Sequence, residues 1–81
     1  MAPAAGPRLA VYPREGCLLC DEMIEALAAW LAGRGLEVEI LDVDADATTR
    51  ARYGLKVPVL TVDGEPVCSG RFDPDVLGDL L

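Results

Sequence analysis

Two cysteines three residues apart, Cys17 and Cys20, are the residues of this chain whose type and spacing best suit chemistry. Such a pair can cycle between a dithiol and a disulfide, or it can contribute ligands to a metal. The segment before it is apolar, ends at Pro13 and is followed by Gly16, which is typical of a buried strand and a turn. We therefore expect a helix to begin at Cys17, where unpaired backbone N–H groups and the helix dipole stabilise a thiolate.

The position of each cysteine predicts its role. Cys17, at the helix N-terminus, is the expected nucleophile because the thiolate is the species that attacks disulfides. Cys20 lies one helical turn further on and can resolve a mixed disulfide by attacking Cys17. We expect the helix terminus and Arg14 to lower the pKa of Cys17 more than the nearby carboxylates raise it, because surface carboxylates are screened.

Core packing and metal binding are the alternative interpretations of the pair. A zinc site would need a fourth ligand beyond Cys17, Cys20 and Cys68, and the chain has no histidine to supply it. We therefore assign no metal ligands, although an iron–sulfur or metal-binding module and a non-catalytic binding module stay open as functions. Cys68 is expected to be a small core thiol rather than a third redox or ligating group.

Composition places the chain among small globular domains. Its 81 residues are 52% hydrophobic and 26% charged, with a net charge of -7, which suits one domain with a modest core. The acidic balance argues against nucleic acid and anionic membranes as partners. No run approaches the roughly 18 apolar residues of a membrane span, and the start of the chain lacks the apolar segment of a secretory signal. We expect a cytoplasmic monomer, with residues 1–7 as a flexible tail and residues 8–81 as one domain.

Hydrophobic periodicity predicts the element order β-α-β-α-β-β-α. The predicted elements are residues 8–13, 17–31, 36–43, 44–52, 57–62, 65–69 and 74–81. The apolar stripe of the first helix is expected to contain Leu19, Met23, Leu27, Leu31, Ile24, Ala28 and Trp30. Asp73 and Pro74 are expected to open the last helix as its N-cap and first residue.

Acidic residues mark the region around the second strand. Glu37 and Glu39 alternate with apolar residues, which indicates a half-exposed strand at a sheet edge. Asp42, Asp44 and Asp46 alternate as in a calcium loop, but no glycine or closing glutamate follows at the required spacing. We interpret these aspartates as a strand end followed by a helix cap, with Asp44 or Asp46 as the capping residue.

The connections between the elements predict the fold. A strand–helix–strand opening implies a right-handed crossover and a parallel pair of strands. The dipeptide Asp63-Gly64 predicts a tight hairpin, which adds an antiparallel pair. We therefore predict an α/β fold with a mixed four-stranded sheet and helices on both faces.

Three segments resemble glutaredoxins, which belong to the thioredoxin-fold superfamily. Residues 12–20, Tyr-Pro-Arg-Glu-Gly-Cys-Leu-Leu-Cys, resemble the family's opening, with Arg14 at its basic position. Residues 56–60 resemble the segment whose cis proline faces the dithiol, and residues 69–73 resemble the Gly-Gly-x-x-Asp segment before the last helix. The match is nearest to small bacterial glutaredoxin-like proteins with a Cys-x-Leu-Cys sequence, since Leu18 and Leu19 replace the Pro-Tyr of classical members.

The resemblance implies a thioredoxin-like fold and dithiol–disulfide exchange with a disulfide-containing protein or with glutathione. It implies that the Val57–Pro58 bond is cis and that Val57 offers its backbone to glutathione. Gly70 and Asp73 would lie near the glutamyl end, and Arg14 would hold a carboxylate. Glutathione is then a co-substrate rather than a tightly bound cofactor. A cluster shared by two subunits, held by one cysteine each plus glutathione, is the alternative that the resemblance leaves open.

Overall fold

The computed structural model of this protein describes residues 7–81, so the predicted tail, residues 1–7, lies outside the described residues except for Pro7. The elements are β1 (Leu9–Tyr12), α1 (Leu18–Leu31), β2 (Val38–Ile40), a 3-10 turn (Val43–Ala45), α2 (Ala47–Tyr53), β3 (Val59–Val62), β4 (Glu65–Ser69) and α3 (Pro74–Leu80). This order confirms the predicted β-α-β-α-β-β-α arrangement and adds the 3-10 turn before the second helix.

The four strands form one mixed sheet in the order β2-β1-β3-β4. Strand β1 pairs in parallel with β2 and antiparallel with β3, with Tyr12 opposite Val59. Strands β3 and β4 are joined by the predicted hairpin, in which Asp63 and Gly64 have φ values of 52° and 86°. Positive φ at both residues is the requirement of the tight turn that matches strand twist. Strand β2 lies at an edge, as its acidic pattern predicts.

Helices cover both faces of the sheet, as predicted. The main core lies between one face and helices α1 and α3, and consists of Leu9, Val11, Met23, Leu27, Leu31, Leu60, Val62, Cys68 and Leu77. On the other face a smaller cluster of Val43, Tyr53 and Val59 packs with Tyr12, whose ring centroid lies 5.1 Å from that of Tyr53. Helix α2 therefore packs against the sheet near the end of β1.

The buried stripe of α1 differs from the predicted one in its first turn. The buried residues are Cys20, Met23, Leu27 and Leu31, and Trp30 and Ile24 pack beside them half-buried. Leu19 is 54% exposed and Ala28 is exposed, so their assignment to the core is wrong. Residues at positions i, i+3, i+7 and i+11 from Cys20 share one helical face, and Leu19 and Ala28 fall beside it.

Three strands are shorter than predicted, and β1, predicted over residues 8–13, spans Leu9–Tyr12. Strand β2 ends at Ile40, although the chain continues along β1, since the Leu41 and Val43 N–H groups donate to Val11 and Pro13 at 3.0 and 2.9 Å. Strand β3 begins at Val59 rather than at residue 57. Pro58 has no N–H group to donate to a ladder, which excludes it from regular pairing.

The caps of the second and third helices have different outcomes. Asp46 occupies the N-cap position of α2 without a side-chain capping bond, and Asp44 does not cap that helix. Asp42 instead accepts a hydrogen bond from the Asp44 N–H at 2.9 Å and caps the 3-10 turn. At α3 the prediction is confirmed, because Asp73 accepts from the Asp75 N–H at 3.0 Å and Pro74 follows as the first helical residue.

The sequence predicts no membrane-spanning helix. Within residues 7–81, no helix has both the length and the apolar composition that a membrane crossing requires.

Truncation of Leu77 tests whether α3 is anchored in the main core. Leu77 is fully buried, whereas Leu80 in the same helix is 53% exposed. We expect Leu77→Ala to lower the free energy of unfolding by about 2–5 kcal/mol, because it removes buried contacts and leaves a cavity. The control Leu80→Ala should cost about 1 kcal/mol or less. Urea unfolding followed by circular dichroism measures both, and equal losses would contradict this placement of α3.

Candidate active site

One end of the sheet collects the residues that the sequence predicts for the site. Tyr12 at the end of β1 pairs with Val59 at the start of β3, and Val59 pairs with Ser69 at the end of β4. Because β2 runs parallel to β1, the chain that leaves β2 reaches the same end. The segments that meet there are residues 13–17, 41–44, 57–58 and 70–73.

Cys17 and Cys20 are joined by a disulfide at the start of α1, with their Cα atoms 5.2 Å apart. Cys17 is the N-cap residue of α1, and its Sγ accepts a hydrogen bond from the Cys20 N–H at 3.1 Å. Cys17 is half-buried, whereas Cys20 is completely buried beneath it. The roles of nucleophile and resolving cysteine stay a prediction, and this difference in exposure favours them because the nucleophile must meet an external disulfide.

The loop between β1 and α1 places a second backbone donor at the dithiol. The Arg14 N–H points at the Sγ of Cys20 at 3.4 Å, and the Arg14 carbonyl accepts from the Cys17 N–H at 3.3 Å. Gly16, with φ of 78°, provides the left-handed backbone that this turn requires. Each sulfur therefore faces one backbone N–H, and such donors stabilise negative charge on sulfur once the disulfide is reduced.

The Arg14 side chain is held within the protein. Its Nε and Nη2 donate to the Asp44 carboxylate at 2.8 and 3.0 Å, and its Nη1 donates to the Gly54 carbonyl at 3.0 Å. The hydrogen bonds from Arg14 hold the pKa of Asp44 below its ordinary value, and the same bonds hold the pKa of Arg14 above its ordinary value. The contact of Arg14 with a glutathione carboxylate stays a prediction, and in this structure Asp44 occupies the edge of the guanidinium that would make it.

Asp44 and Gly54 are the site residues that sequence reasoning missed. A Cβ atom on Gly54 would lie 2.5 Å from the Arg50 carbonyl oxygen and 3.3 Å from Arg14 Nη2, so a side chain there would disturb the contact. The sequence did carry a signal for an acidic partner of Arg14, since a basic residue after β1 and an acidic residue after the parallel strand β2 must reach the same sheet end. This signal does not distinguish Asp44 from Asp42. Gly54 is in an ordinary helical conformation, with φ of -58°, and carries no comparable signal.

The remaining predicted binding residues are Val57, Pro58, Gly70 and Asp73, and a hydrogen bond joins two of them. The Val57–Pro58 bond is cis, which confirms that expectation, and the Pro58 carbonyl accepts from the Gly70 N–H at 2.8 Å. Val57 is half-buried beside the smaller cluster, and the Asp73 carboxylate caps α3. Within residues 7–81, no hydrogen bond joins these four residues to Arg14 or to the dithiol.

Exposed leucines lie at the same end of the sheet as the dithiol. Leu18 and Leu19, between the two cysteines, are 71% and 54% exposed, and Leu55 is fully exposed. Leu55 follows Gly54, whose carbonyl accepts a hydrogen bond from the Arg14 side chain, and the backbone N–H of Arg14 points at Cys20 Sγ. Leu55 therefore lies at the same end of the sheet as the dithiol. We call Leu18, Leu19 and Leu55 the leucine surface.

The described residues offer little to a metal ion. In residues 7–81, no group of three or more His, Cys, Asp or Glu side chains is placed to hold one. Cys68, the third cysteine, is free and packs in the main core opposite Leu60.

A thioredoxin-like fold with a Cys-x-x-Cys pair at the start of its first helix defines the class of this protein. The chain belongs to the glutaredoxin-like domain family (DUF836), whose profile matches residues 8–81.

Solved structures of similar proteins agree with this assignment. A protein from Nitrosomonas europaea, solved by NMR in solution, is 34% identical with a TM-score of 0.83, and the match covers 100% of this chain and 99% of that chain. A protein from X. campestris, solved by X-ray methods, is 35% identical with a TM-score of 0.70, and the match covers 89% and 92% of the two chains. A search of curated proteins finds no significant match.

The ion pair between Arg14 and Asp44 makes stability depend on pH. Because Arg14 depresses the pKa of Asp44, the pair stabilises the folded protein above the ordinary value of 3.8, and this contribution is lost as pH falls through the lower folded pKa. We expect Asp44→Asn to lower the urea midpoint at neutral pH and to have much less effect in acid below that folded pKa. Asp46→Asn is the control, because Asp46 makes no side-chain capping bond. The same loss at both pH values would show that charge is not the cause.

The backbone donors at the dithiol predict an acidic Cys17 thiol. In the reduced protein, alkylation of Cys17 as a function of pH should give a pKa below the ~8.5 of a free cysteine. The variant Cys20→Ser isolates this titration from coupling between the two thiols, and mass spectrometry identifies the alkylated residue. A pKa at or above ~8.5 would contradict the expectation.

Proposed function

We propose that this protein is a thiol–disulfide oxidoreductase that uses the Cys17–Cys20 dithiol to reduce protein disulfides or mixed disulfides with glutathione. One observation carries the proposal: the half-buried Cys17 caps α1 and receives a backbone N–H on its Sγ, while Cys20 lies fully buried beneath it. This arrangement leaves one sulfur accessible and stabilised as a thiolate, and holds the second within reach of the first. Membership of the glutaredoxin-like family supports a thiol redox role in general.

The exchange proceeds in two displacement steps. The Cys17 thiolate attacks the substrate disulfide, so that a bond forms between Cys17 Sγ and one substrate sulfur while the other leaves as a thiolate. Cys20 loses its proton to the substrate thiolate released in the first step and attacks Cys17 Sγ, which closes the Cys17–Cys20 disulfide and releases the second substrate sulfur as a thiolate. Two electrons have then passed from the dithiol to the substrate. A thiol donor reverses the sequence and restores the dithiol.

The surrounding backbone has a defined part in these steps. The Cys20 N–H stabilises charge on Cys17 before attack and when Cys17 is the leaving group in the reverse direction. The Arg14 N–H, at 3.4 Å from Cys20 Sγ, does the same for the resolving cysteine. The Cα separation of 5.2 Å in the disulfide lies within the range of about 4.4–6.8 Å that disulfides span.

Glutathione enters the proposal as a co-substrate, with Val57, Gly70 and Asp73 as its expected contacts. The hydrogen bond between Gly70 and Pro58 supports this part, because it places two of the expected segments side by side at the end of the sheet. We expect a monomer that works in the cytosol, where thiols are kept reduced.

A redox titration tests the proposed function. The protein is equilibrated across a series of glutathione to glutathione-disulfide ratios, and thiol labelling followed by mass spectrometry counts reduced Cys17 and Cys20. We expect a reversible two-electron transition between roughly -180 and -280 mV. Failure to form the Cys17–Cys20 disulfide at any ratio would exclude the dithiol mechanism and favour monothiol chemistry, a cluster site or a plain binding module.

Cysteine variants serve as matched controls. Cys17→Ser should reduce disulfide exchange to the background rate, because it removes the nucleophile. Cys20→Ser should accumulate a mixed disulfide on Cys17, since no resolving thiol remains. Cys68→Ser should exchange at the rate of the unmodified protein, because Cys68 is buried in the main core.

A further inference from the structure

The Arg14 guanidinium, which could otherwise bind a substrate carboxylate, is already paired with Asp44 within the protein. Arg14 is the basic residue of the loop that leads into the dithiol, and its backbone N–H contacts Cys20 Sγ. Its guanidinium is nevertheless bonded twice to Asp44 and once to the Gly54 carbonyl. A bidentate carboxylate occupies the edge with which a guanidinium binds carboxylates, so an incoming anion has to displace Asp44.

Apart from Arg14, the charged side chains nearest to the dithiol in the sequence are acidic. Glu15, Asp21 and Glu22 are exposed and lie within five residues of Cys17. Three further cations at this end of the sheet, Lys56, Arg71 and Arg50, are matched in number by Asp73, Asp75 and Asp42.

The electrostatic balance therefore repels anions. Glutathione disulfide carries a net charge of minus two at neutral pH, because each half has two carboxylates and one ammonium group. With Arg14 paired, glutathione disulfide that approaches Cys17 meets Glu15, Asp21 and Glu22, none of which forms a salt bridge within residues 7–81.

The leucine surface supplies the complementary preference. Leu18, Leu19 and Leu55 expose apolar area at the dithiol end of the sheet, and a small peptide such as glutathione has no large apolar side chain to cover it. Apolar side chains next to a cysteine in a polypeptide would cover that area.

We propose that Asp44 withholds Arg14 from substrates, and that the site therefore prefers disulfides of neutral or basic polypeptides with apolar flanking residues to glutathione disulfide. This inference rests on the proposed function and names its substrate class. Asp44 acts as a specificity-determining residue without touching the reacting sulfurs.

A charge series of small disulfides tests the role of Asp44. The reduced protein is oxidised by glutathione disulfide, neutral hydroxyethyl disulfide or dicationic cystamine, and each rate is divided by that of dithiothreitol with the same disulfide. In the unmodified protein the normalised rate with cystamine should exceed that with glutathione disulfide. Asp44→Asn should raise the ratio of the glutathione disulfide rate to the cystamine rate about fivefold, because it removes one negative charge and frees one positive charge nearby.

Two further variants show whether Arg14 causes the gain. Asp46→Asn makes the same change in net charge two residues away without breaking the Arg14–Asp44 pair, so its ratio should stay within about twofold of the unmodified protein. Arg14→Gln combined with Asp44→Asn removes both partners and should return the ratio close to its original value. A gain that persists in the double variant, or that Asp46→Asn reproduces, would overturn the proposal.

Salt provides a test that needs no variant. If the site repels anions, added salt should accelerate oxidation of the unmodified protein by glutathione disulfide and slow oxidation by cystamine, while hydroxyethyl disulfide is unaffected. Equal responses of the three disulfides would refute the specificity proposal even if every variant failed to fold. Failure of all three disulfides to oxidise the dithiol would instead refute the proposed function itself.

Peptide disulfides test the apolar preference. Two peptides of equal length and charge, with leucine or with serine on each side of a disulfide-bonded cysteine, are compared as oxidants. We expect the leucine peptide to react several-fold faster with the unmodified protein, and Leu55→Ser to reduce this advantage. Leu80→Ser, at the partly exposed end of α3, is the matched control and should preserve it. Equal rates with the two peptides would refute the apolar part of the proposal.

Discussion

The pairing of Tyr12 with Val59 joins the end of β1 to the start of its antiparallel neighbour β3. The position of the site depends on this pair. These two residues pack in the smaller cluster, whereas Leu9 and Val11 of the same strand pack in the main core. A slip of one residue would exchange the two faces, so burial on both sides fixes the register. The register in turn decides which loops meet. It brings the dithiol loop, the cis-proline segment and the end of β4 to one edge.

The parts of the fold that local chemistry controls could be predicted from the sequence. Asp63-Gly64 supplies the positive φ angles of a tight hairpin, and Asp73-Pro74 supplies an N-cap and a first helical residue, whatever the rest of the chain does. The sequence was a poorer guide to which residues are buried at the start of α1, because their burial depends on where the sheet lies beneath the helix. Leu19 therefore fits an apolar stripe in the sequence and yet is exposed, while Cys20 takes the buried position.

The candidate site divides in the same way. The cysteines, Pro58 and Gly70 could be identified because short motifs carry them. The hydrogen bonds that fix the Arg14 side chain join residues 30 and 40 positions apart in the chain, and no local sequence pattern predicts them. Asp44 also competes with two neighbouring aspartates for the role of helix cap, and sequence alone does not decide among three equivalent carboxylates. In the folded protein Asp42 caps the 3-10 turn and Asp46 occupies the N-cap position of α2, and Asp44 is the carboxylate that binds Arg14.

The burial of Cys68 gives the oxidised protein a chemical gauge of its own unfolding. With Cys17 and Cys20 joined, Cys68 is the remaining free thiol of the three cysteines, and it is packed against the main core. A soluble thiol reagent reaches it when the core opens, so the labelling rate follows the population of open molecules. The redox state is thus read from the sulfurs of Cys17 and Cys20, and the opening of the core from the sulfur of Cys68. The same reagent can count both in one sample, without an engineered probe.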